Sequence, residues 1–515
     1  MVSTQVAVAL GTIGTYLLAV LAIGYRGMKV GESSVTDWMT GGRGLGVIVL
    51  TFTYAATYHS AFAFLGAAGF IYGNGIGIYV AGYLWMVLGG LILWVVGSRI
   101  WLLGKKYGYV TPSDLFDDFY DSKSLSKIVS LVLVVSTFPY IAIQMIGVGI
   151  IFDTATQGLI SFEVGAAILL LVSVVYVWMG GMRSVAWTDT LQGVFMFIAI
   201  WAAAFAFLSS AYGGSVTAFW DQLVQNYTAY VTLPGPSGLY TPSYLVSWWI
   251  VLGIGLMMTP HIFLRYYAAE SPRTLRWVSA TGTGYLMIFY IPIVFLALGG
   301  VAAFPDLGSA DAVIPTVLYE FTPVWFASLV VSGAIAAAMS TADSQLHALA
   351  TLLTRDWYAS YANENLDNAD ASQTTFAKAS VPVLAILSYI VAVQDIQFIV
   401  RLANIAFEGA AQIFPLLLGA FYWERASKEG AIAGFSAGVL VTAVLKFSLI
   451  SLPAAFPGFL AGFYGLITNT AVFLGVSLVT DSVSDRRIER IQGYIDYAAN
   501  RRFAESGATS EPSDD

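Results

Sequence analysis

The chain has no cysteine and only three histidines among its 515 residues. Disulfides and thiolate metal sites are therefore excluded. His59 and His347 stand too isolated to form a metal site, which needs convergent donors. Charge is scarce as well. Asp, Glu, Lys and Arg make up 10% of the residues, against roughly 25% in ordinary soluble domains. A soluble fold of this length cannot cover its surface with so little charge. No Walker motif offers nucleotide binding, and neither His-Glu-x-x-His nor Gly-x-Ser-x-Gly offers hydrolysis. A net charge of −8 and an acidic end at Glu511, Asp514 and Asp515 argue against nucleic-acid binding. Nothing points to an organic cofactor or to an obligate protein partner.

What is abundant is apolar. Hydrophobic residues make up 58% of the chain, and they fall into runs of about 20 or more, enough to cross a hydrocarbon core about 30 Å thick. Lipid offers no partner for free backbone groups, so such runs are helices. The alternation of a membrane barrel is absent. The expected fold class is thus an all-α polytopic membrane protein. Thirteen spans are predicted, at 3–25, 46–70, 76–101, 127–155, 162–181, 187–212, 244–269, 276–304, 323–353, 376–394, 399–423, 429–451 and 457–480. The first lacks a basic leader and is too long for a signal peptide, so it reads as a retained helix.

Basic residues orient these spans. With the N-terminus outside, 21 of the 23 Lys and Arg fall in or beside inner loops or in the tail. They run from Arg26, Lys29 and Arg43 to Arg486, Arg487, Arg490, Arg501 and Arg502. The remaining two, Arg401 and Lys446, lie near outer helix ends where long side chains snorkel. The positive-inside rule thus predicts thirteen spans in the plasma membrane, N-terminus out and C-terminus cytoplasmic. Residues 1–480 form one transmembrane domain, and 481–515 a tail. Within the tail, 482–503 reads as a short basic amphipathic helix on the inner membrane surface and the end as disordered.

Two spans look interrupted. In the second, Ala55-Ala56-Thr57-Tyr58-His59-Ser60-Ala61 leads into Leu65-Gly66-Ala67-Ala68-Gly69. In the seventh, Leu252-Gly253-Ile254-Gly255 precedes Thr259-Pro260-His261. Gly and Pro weaken the helical ladder, and freed carbonyls can then face a cavity. The spans lie five apart, as the first helices of inverted repeats over about 46–212 and 244–423 would. Paired broken helices are the best sequence pointer to a transporter binding site. Close helix packing is the other use of such glycines.

Polar groups inside the bilayer are functional candidates because their burial is expensive. In span nine, Ser340 and Thr341 are adjacent hydroxyls within Ala336-Ala337-Ala338-Met339-Ser340-Thr341-Ala342-Asp343-Ser344. Sodium is a hard cation that binds oxygen. These hydroxyls, with carbonyls of the interrupted second span, can form a neutral cage. The alternative is that both bond back to their own helix. Asn404, Glu408 and Gln412 form a polar stripe in span eleven, either lining the cavity or pairing structurally. Tyr58, Ser60 and Phe62 are the cavity candidates of span two. His261 and Arg265 lie one turn apart near the inner end of span seven and are expected to shape an inner gate.

Over nearly its whole length the chain resembles the sodium:solute symporter family. The likeness runs from Asp37-Trp38-Met39-Thr40-Gly41-Gly42-Arg43 to Trp423-Glu424-Arg425. It includes Gly104-Lys105-Lys106-Tyr107-Gly108, Gly180-Gly181-Met182-Arg183-Ser184 and Pro260-His261-Ile262-Phe263-Leu264-Arg265. Ala338-Met339-Ser340-Thr341-Ala342-Asp343-Ser344-Gln345-Leu346 is its most diagnostic stretch. The resemblance implies a five-plus-five inverted-repeat (LeuT-like) core and one sodium site between spans two and nine. That site takes the carbonyls of Ala56, His59 and Ala337 and the hydroxyls of Ser340 and Thr341. It also implicates Asp189 in sodium exit, although a helix N-terminal carboxylate is an equal alternative. Some relatives carry an acidic residue where this chain has Tyr58, which sets proline carriers apart. The inner loops look most like the pantothenate and monocarboxylate branch.

The expected function is sodium-coupled import of a small organic solute, with Na+ as the coupling ion. Proton coupling, a passive pore, an intramembrane enzyme and a non-transporting nutrient sensor are the rivals.

Overall fold

The computed structural model describes residues 3–28, 35–359, 369–394, 399–450, 452–453 and 458–498. All regular elements among them are helical. Helix α1 (Thr4–Met28) precedes a broken pair, α2 (Val47–Tyr58) and α3 (Phe62–Asn74), bent by 57°. Then come α4 (Gly77–Tyr107), a short α5 (Pro112–Tyr120), α6 (Lys123–Ala155) and α7 (Phe162–Tyr212). A second broken pair follows, α8 (Pro242–Met258) and α9 (Pro260–Ala268), bent by 55°. The rest comprises α10 (Pro272–Ala303), α11 (Val313–Phe321), α12 (Val324–Tyr358), α13 (Ala369–Ala392), α14 (Ile399–Tyr422), α15 (Lys428–Lys446) and α16 (Ala461–Val479).

Ten helices among the described residues are long and apolar enough to cross alone, and the two bent pairs make twelve. The fifth predicted span, 162–181, does not qualify by itself. Its apolar part, Phe162–Val175, is too short, and helical geometry continues from it into Val185–Tyr212. α12 is the central element, with 78% of its apolar window buried against 22% for α1.

The breaks have identifiable causes, and they are not the glycines. Pro260 pushes the residue before it out of the helical region, and Thr259 is extended at φ −63°, ψ 146°. In the first pair His59 is extended at φ −80°, ψ 113°. The N–H groups freed there are satisfied. Phe62 N–H donates to Ser60 Oγ at 3.1 Å, and Ala61 N–H to Gln144 Oε1 on α6 at 2.9 Å. Helix α8 runs unbroken through Gly253 and Gly255. A Cβ at Gly255 would lie 2.1 Å from Phe407 O, so this glycine lets α8 and α14 touch backbone to backbone.

Beyond α16, residues Asp485–Ile488 and Glu489–Gly493 are helical, as expected. Their basic side turns to the protein, however. Arg490 pairs with Asp118 of α5 at 3.0 Å and lies over the Tyr107 ring, while Arg487 pairs with Asp121 at 2.6 Å. Ile491 is fully buried. Thr111 and Asp114 cap the start of α5 reciprocally, and Asp121 follows its end. The tail from 499 onward, with Arg501, Arg502 and the segment expected to be disordered, lies outside the described residues, as does Lys29.

Candidate functional site

The end of α2 meets the middle of α12 through oxygen atoms. Ser340 Oγ donates to Ala56 O at 2.9 Å and lies 3.1 Å from Ala337 O of its own helix. Thr341 Oγ1 lies 3.0 Å from His59 O and 3.2 Å from Thr57 O. Because α2 ends at the break, its last carbonyls have no following turn to accept from, and they point across to α12. The five oxygens that the resemblance implies meet here in two adjacent groups, one on Ser340 and one on Thr341, and Thr57 O joins the second. Each is a neutral, hard donor of the kind an alkali cation accepts. Ser340 and Thr341 also lie in fully buried helix, where a polar pair unmatched by α2 would be costly.

One turn along α12 a charged network begins. Asp189 of α7 pairs with Arg265 of α9 at 3.0 Å, and both side chains are almost wholly buried. Thr53 donates to the same carboxylate oxygen at 2.6 Å and Thr57 at 3.3 Å. Arg265 also donates to Ser344 Oγ at 2.7 Å and to His261 O at 2.6 Å. Thr57 belongs to both clusters, its carbonyl facing Thr341 and its hydroxyl facing Asp189 and Ser344. The network ties both broken pairs to α7 and α12, so no one of these four can move without parting it.

His261 joins that network through its carbonyl alone, and its ring points elsewhere. It is the second residue after the break, and its ring packs 5.7 Å from Tyr140. His347 is satisfied by Trp38 O at 2.9 Å. His59 bonds its Nδ1 to Ala55 O at 3.0 Å and stacks among Tyr285, Phe289 and Tyr290.

The cavity candidates divide. Tyr58 stacks on Trp85 at 5.3 Å, Ser60 Oγ meets Tyr140 OH at 3.3 Å, and Phe62 lies edge-on to Phe407. These three do surround the first break. Glu408 and Gln412 do not. Glu408 faces the opposite side of α14, accepting from Lys446 Nζ at 2.7 Å and from Gly462 N–H at 2.7 Å. It thereby serves the N-terminus of α16, where backbone donors lack partners. Gln412 bonds Thr442 and Gly462 O beside it. Asn404 is buried, with its Oδ1 unpartnered among the described residues. Lys446, expected to snorkel, instead answers Glu408. A stripe at four-residue spacing names a face but not the neighbour it meets.

Asp311 lies in the turn before α11. It accepts from Ile399 N–H at 3.3 Å and presses against Gly69 of α3, seating the turn on both helices. Burial pushes its carboxyl up to about 6.

Comparison with known proteins now separates the possible readings of this architecture. The profile of the sodium:solute symporter family matches residues 38–438. The chain belongs to the sodium:solute symporter family. It is 28% identical to a sodium/pantothenate symporter of Haemophilus influenzae over 89% of this chain and 92% of that one. It is 27% identical to a high-affinity proline transporter of Bacillus subtilis, over 92% of this chain and 99% of the relative. Among solved structures, a substrate-bound outward-open Na+-coupled sialic acid symporter superposes with a TM-score of 0.78 at 16% identity. That match covers 93% of this chain and 99% of the other. The nucleobase-cation symporter Mhp1 gives 0.57 at 13% identity, covering 88% and 97%. The fold is therefore that of LeuT-like transporters, and the family is one of multi-pass membrane transporters rather than enzymes. Ser340, Thr341, Asp189 and Arg265 all fall inside the matched region.

Two features of the site were not anticipated from sequence. Gln144 satisfies the broken span from α6, and Ser344 joins Arg265 to Thr57 of the oxygen cluster. Arg265 had a signal, since an intramembrane arginine is rarely without a task. Gln144 had none.

Proposed function

We propose that this symporter carries a small organic solute of the pantothenate or monocarboxylate type into the cell, driven by sodium. The observation that supports this reading is the neutral oxygen cluster joining the broken α2 to α12. Sodium entering there replaces the hydroxyl–carbonyl hydrogen bonds. Ser340 and Thr341 turn their lone pairs to the ion, alongside the carbonyls of Ala56, His59 and Ala337. The ion then holds α2 against α12 in an outward-open arrangement. Solute binds beside the breaks, where Tyr58, Ser60 and Phe62 gather, and rocking of the bundle exposes both ligands inward. Repeats over about 46–212 and 244–423 supply the two halves that rock, with the N-terminus outside and the C-terminus in the cytoplasm of a plasma-membrane protein. Asp189 receives the ion on its way in, once Arg265 releases the carboxylate. Each cation brings about 2.3 kcal/mol per 100 mV.

The test is thermal unfolding of the detergent-purified protein in sodium and in equal potassium. A ligand at about 100 times its dissociation constant adds roughly 2.7 kcal/mol. A sodium-specific rise in Tm is expected in the wild type and not in Ser340→Ala/Thr341→Ala. No sodium effect in well-folded wild type would move proton coupling to the front.

A further inference from the structure

The last turn of α12 carries a carboxylate that none of the ion contacts above uses. Asp356 is 8% exposed, and Thr111, which caps α5, donates to its Oδ1 at 2.8 Å. The hydroxyls of Ser113 on α5 and Ser130 on α6 lie beside the same carboxyl. They do not fix its second oxygen. Asp356 Oδ2 and Ser113 Oγ are both buried without a hydrogen-bond partner among the described residues. Ser130 Oγ accepts from Trp357 Nε1 at 3.3 Å. The charge is unanswered too. Arg355, next in sequence, turns to Asp114 at 3.3 Å, and among the described residues no lysine or arginine pairs with Asp356.

Burying a carboxylate without a counter-charge is costly, and buried polar atoms are almost always paired. Two orphaned oxygens in one cluster therefore call for a reason. A proton on Oδ2 would need an acceptor in hydrogen-bond geometry, and among the described residues it has none. A metal cation needs only lone pairs. The Asp356 carboxylate and the Ser113 and Ser130 hydroxyls are hard oxygen donors that supply them. One uncompensated carboxylate asks for one positive charge, because a divalent ion would leave a buried surplus. Asp114 does not change that count, since Arg355 already answers it.

We propose that Asp356, Ser113 and Ser130 form a second cation site, which takes a monovalent alkali ion. It lies roughly 22 Å of helix beyond Thr341, so it is separate from the oxygen cluster at the break. In the topology proposed above this end of α12 faces the cytoplasm, where potassium is the abundant alkali ion. An ion held there ties the end of α12 to α5 and α6. Sodium and potassium share the chemistry, so the site cancels when equal sodium and potassium are compared. The inference goes beyond the symport reading and does not depend on it.

Thermal unfolding of the purified full-length protein tests it, in potassium chloride against N-methyl-D-glucamine chloride at one ionic strength. Wild type is expected to melt about 2–3 °C higher in potassium at roughly 100 times its dissociation constant. The same rise is expected in Ser340→Ala/Thr341→Ala, whose first cluster is disabled. Asp356→Asn keeps the shape and removes the charge, and it should melt at one temperature in both salts. Ser113→Ala is the milder change and should raise the potassium midpoint roughly tenfold; it decides the matter if Asp356→Asn does not fold. A potassium rise that survives in Asp356→Asn, or a midpoint unmoved in Ser113→Ala, would overturn the proposal. So would a wild type that melts alike in both salts, which would leave a proton or a water on Oδ2. A rise lost in Ser340→Ala/Thr341→Ala and kept in Asp356→Asn would move potassium to the first cluster and overturn it as well. Failure of the sodium-against-potassium comparison, with the potassium rise intact, counts against the symport reading instead.

Discussion

The Asp189–Arg265 pair allows a quantitative prediction, because its burial removes most solvent screening. The side chains are 1% and 3% exposed, and breaking such a pair by removing one partner costs about 3–5 kcal/mol. The two single variants should differ. Asp189→Asn strands a guanidinium left with neutral acceptors, Ser344 Oγ, Thr53 Oγ1 and His261 O, and it belongs at the upper end. Arg265→Met leaves a carboxylate still held by Thr53 and Thr57, and it belongs at the lower end. In Asp189→Asn/Arg265→Met no charge is stranded. The double variant should cost no more than the worse single, leaving a coupling of about 3 kcal/mol. For 515 residues at about 2.1 cal/mol/K each, the unfolding entropy is ~1.1 kcal/mol/K. Each single variant should therefore lower Tm by about 3–5 °C, read by tryptophan fluorescence in detergent. Uptake into proteoliposomes separates the pair's two roles: the double variant should melt no lower than Asp189→Asn and still not recover sodium-driven transport. Additive losses in the double variant would falsify the pairing, and full transport in Asp189→Asn would remove the aspartate from the ion path.

Glu408→Ala should cost about 3 kcal/mol of stability, the low end for a broken buried pair, because Lys446 is 21% exposed and can turn to water. Its solute KM should stay at the wild-type value, since the carboxylate faces α15 and α16; a raised KM in uptake assays would return it to the cavity. Asp311 predicts a pH effect. Its carboxyl is raised from 3.8 to about 6 in the fold, so the folded state holds the proton more tightly than the unfolded chain. Its contribution is therefore fully present below about pH 4 and lost as pH rises to about 6, roughly 3 kcal/mol in all. Asp311→Asn should be more stable than wild type at pH 7.5, with the gap closing toward pH 4.5; a gap that ignores pH refutes this.

The sequence was most informative where one physical constraint dominates. Lipid requires every backbone group to be satisfied within a helix, so long apolar runs and inner-loop arginines were enough for an all-helical membrane protein. The Ser340-Thr341 pair was legible for a related reason, since adjacent hydroxyls in a buried span need partners. Other features depended on which helices became neighbours. Gly253 and Gly255 read as weak points, yet they are contact points, because Leu88 and Phe407 come to lie against them. Glu408 read equally as a cavity residue or as a structurally paired carboxylate. Its side of α14 met Lys446 of α15 and the bare N-terminus of α16, and nothing in a local pattern encodes that meeting. The sequence alone determined that this chain crosses a membrane in helices and that two of them break. Tertiary structure decided which polar groups meet, because a helix face specifies only a direction and its partner is set by long-range packing.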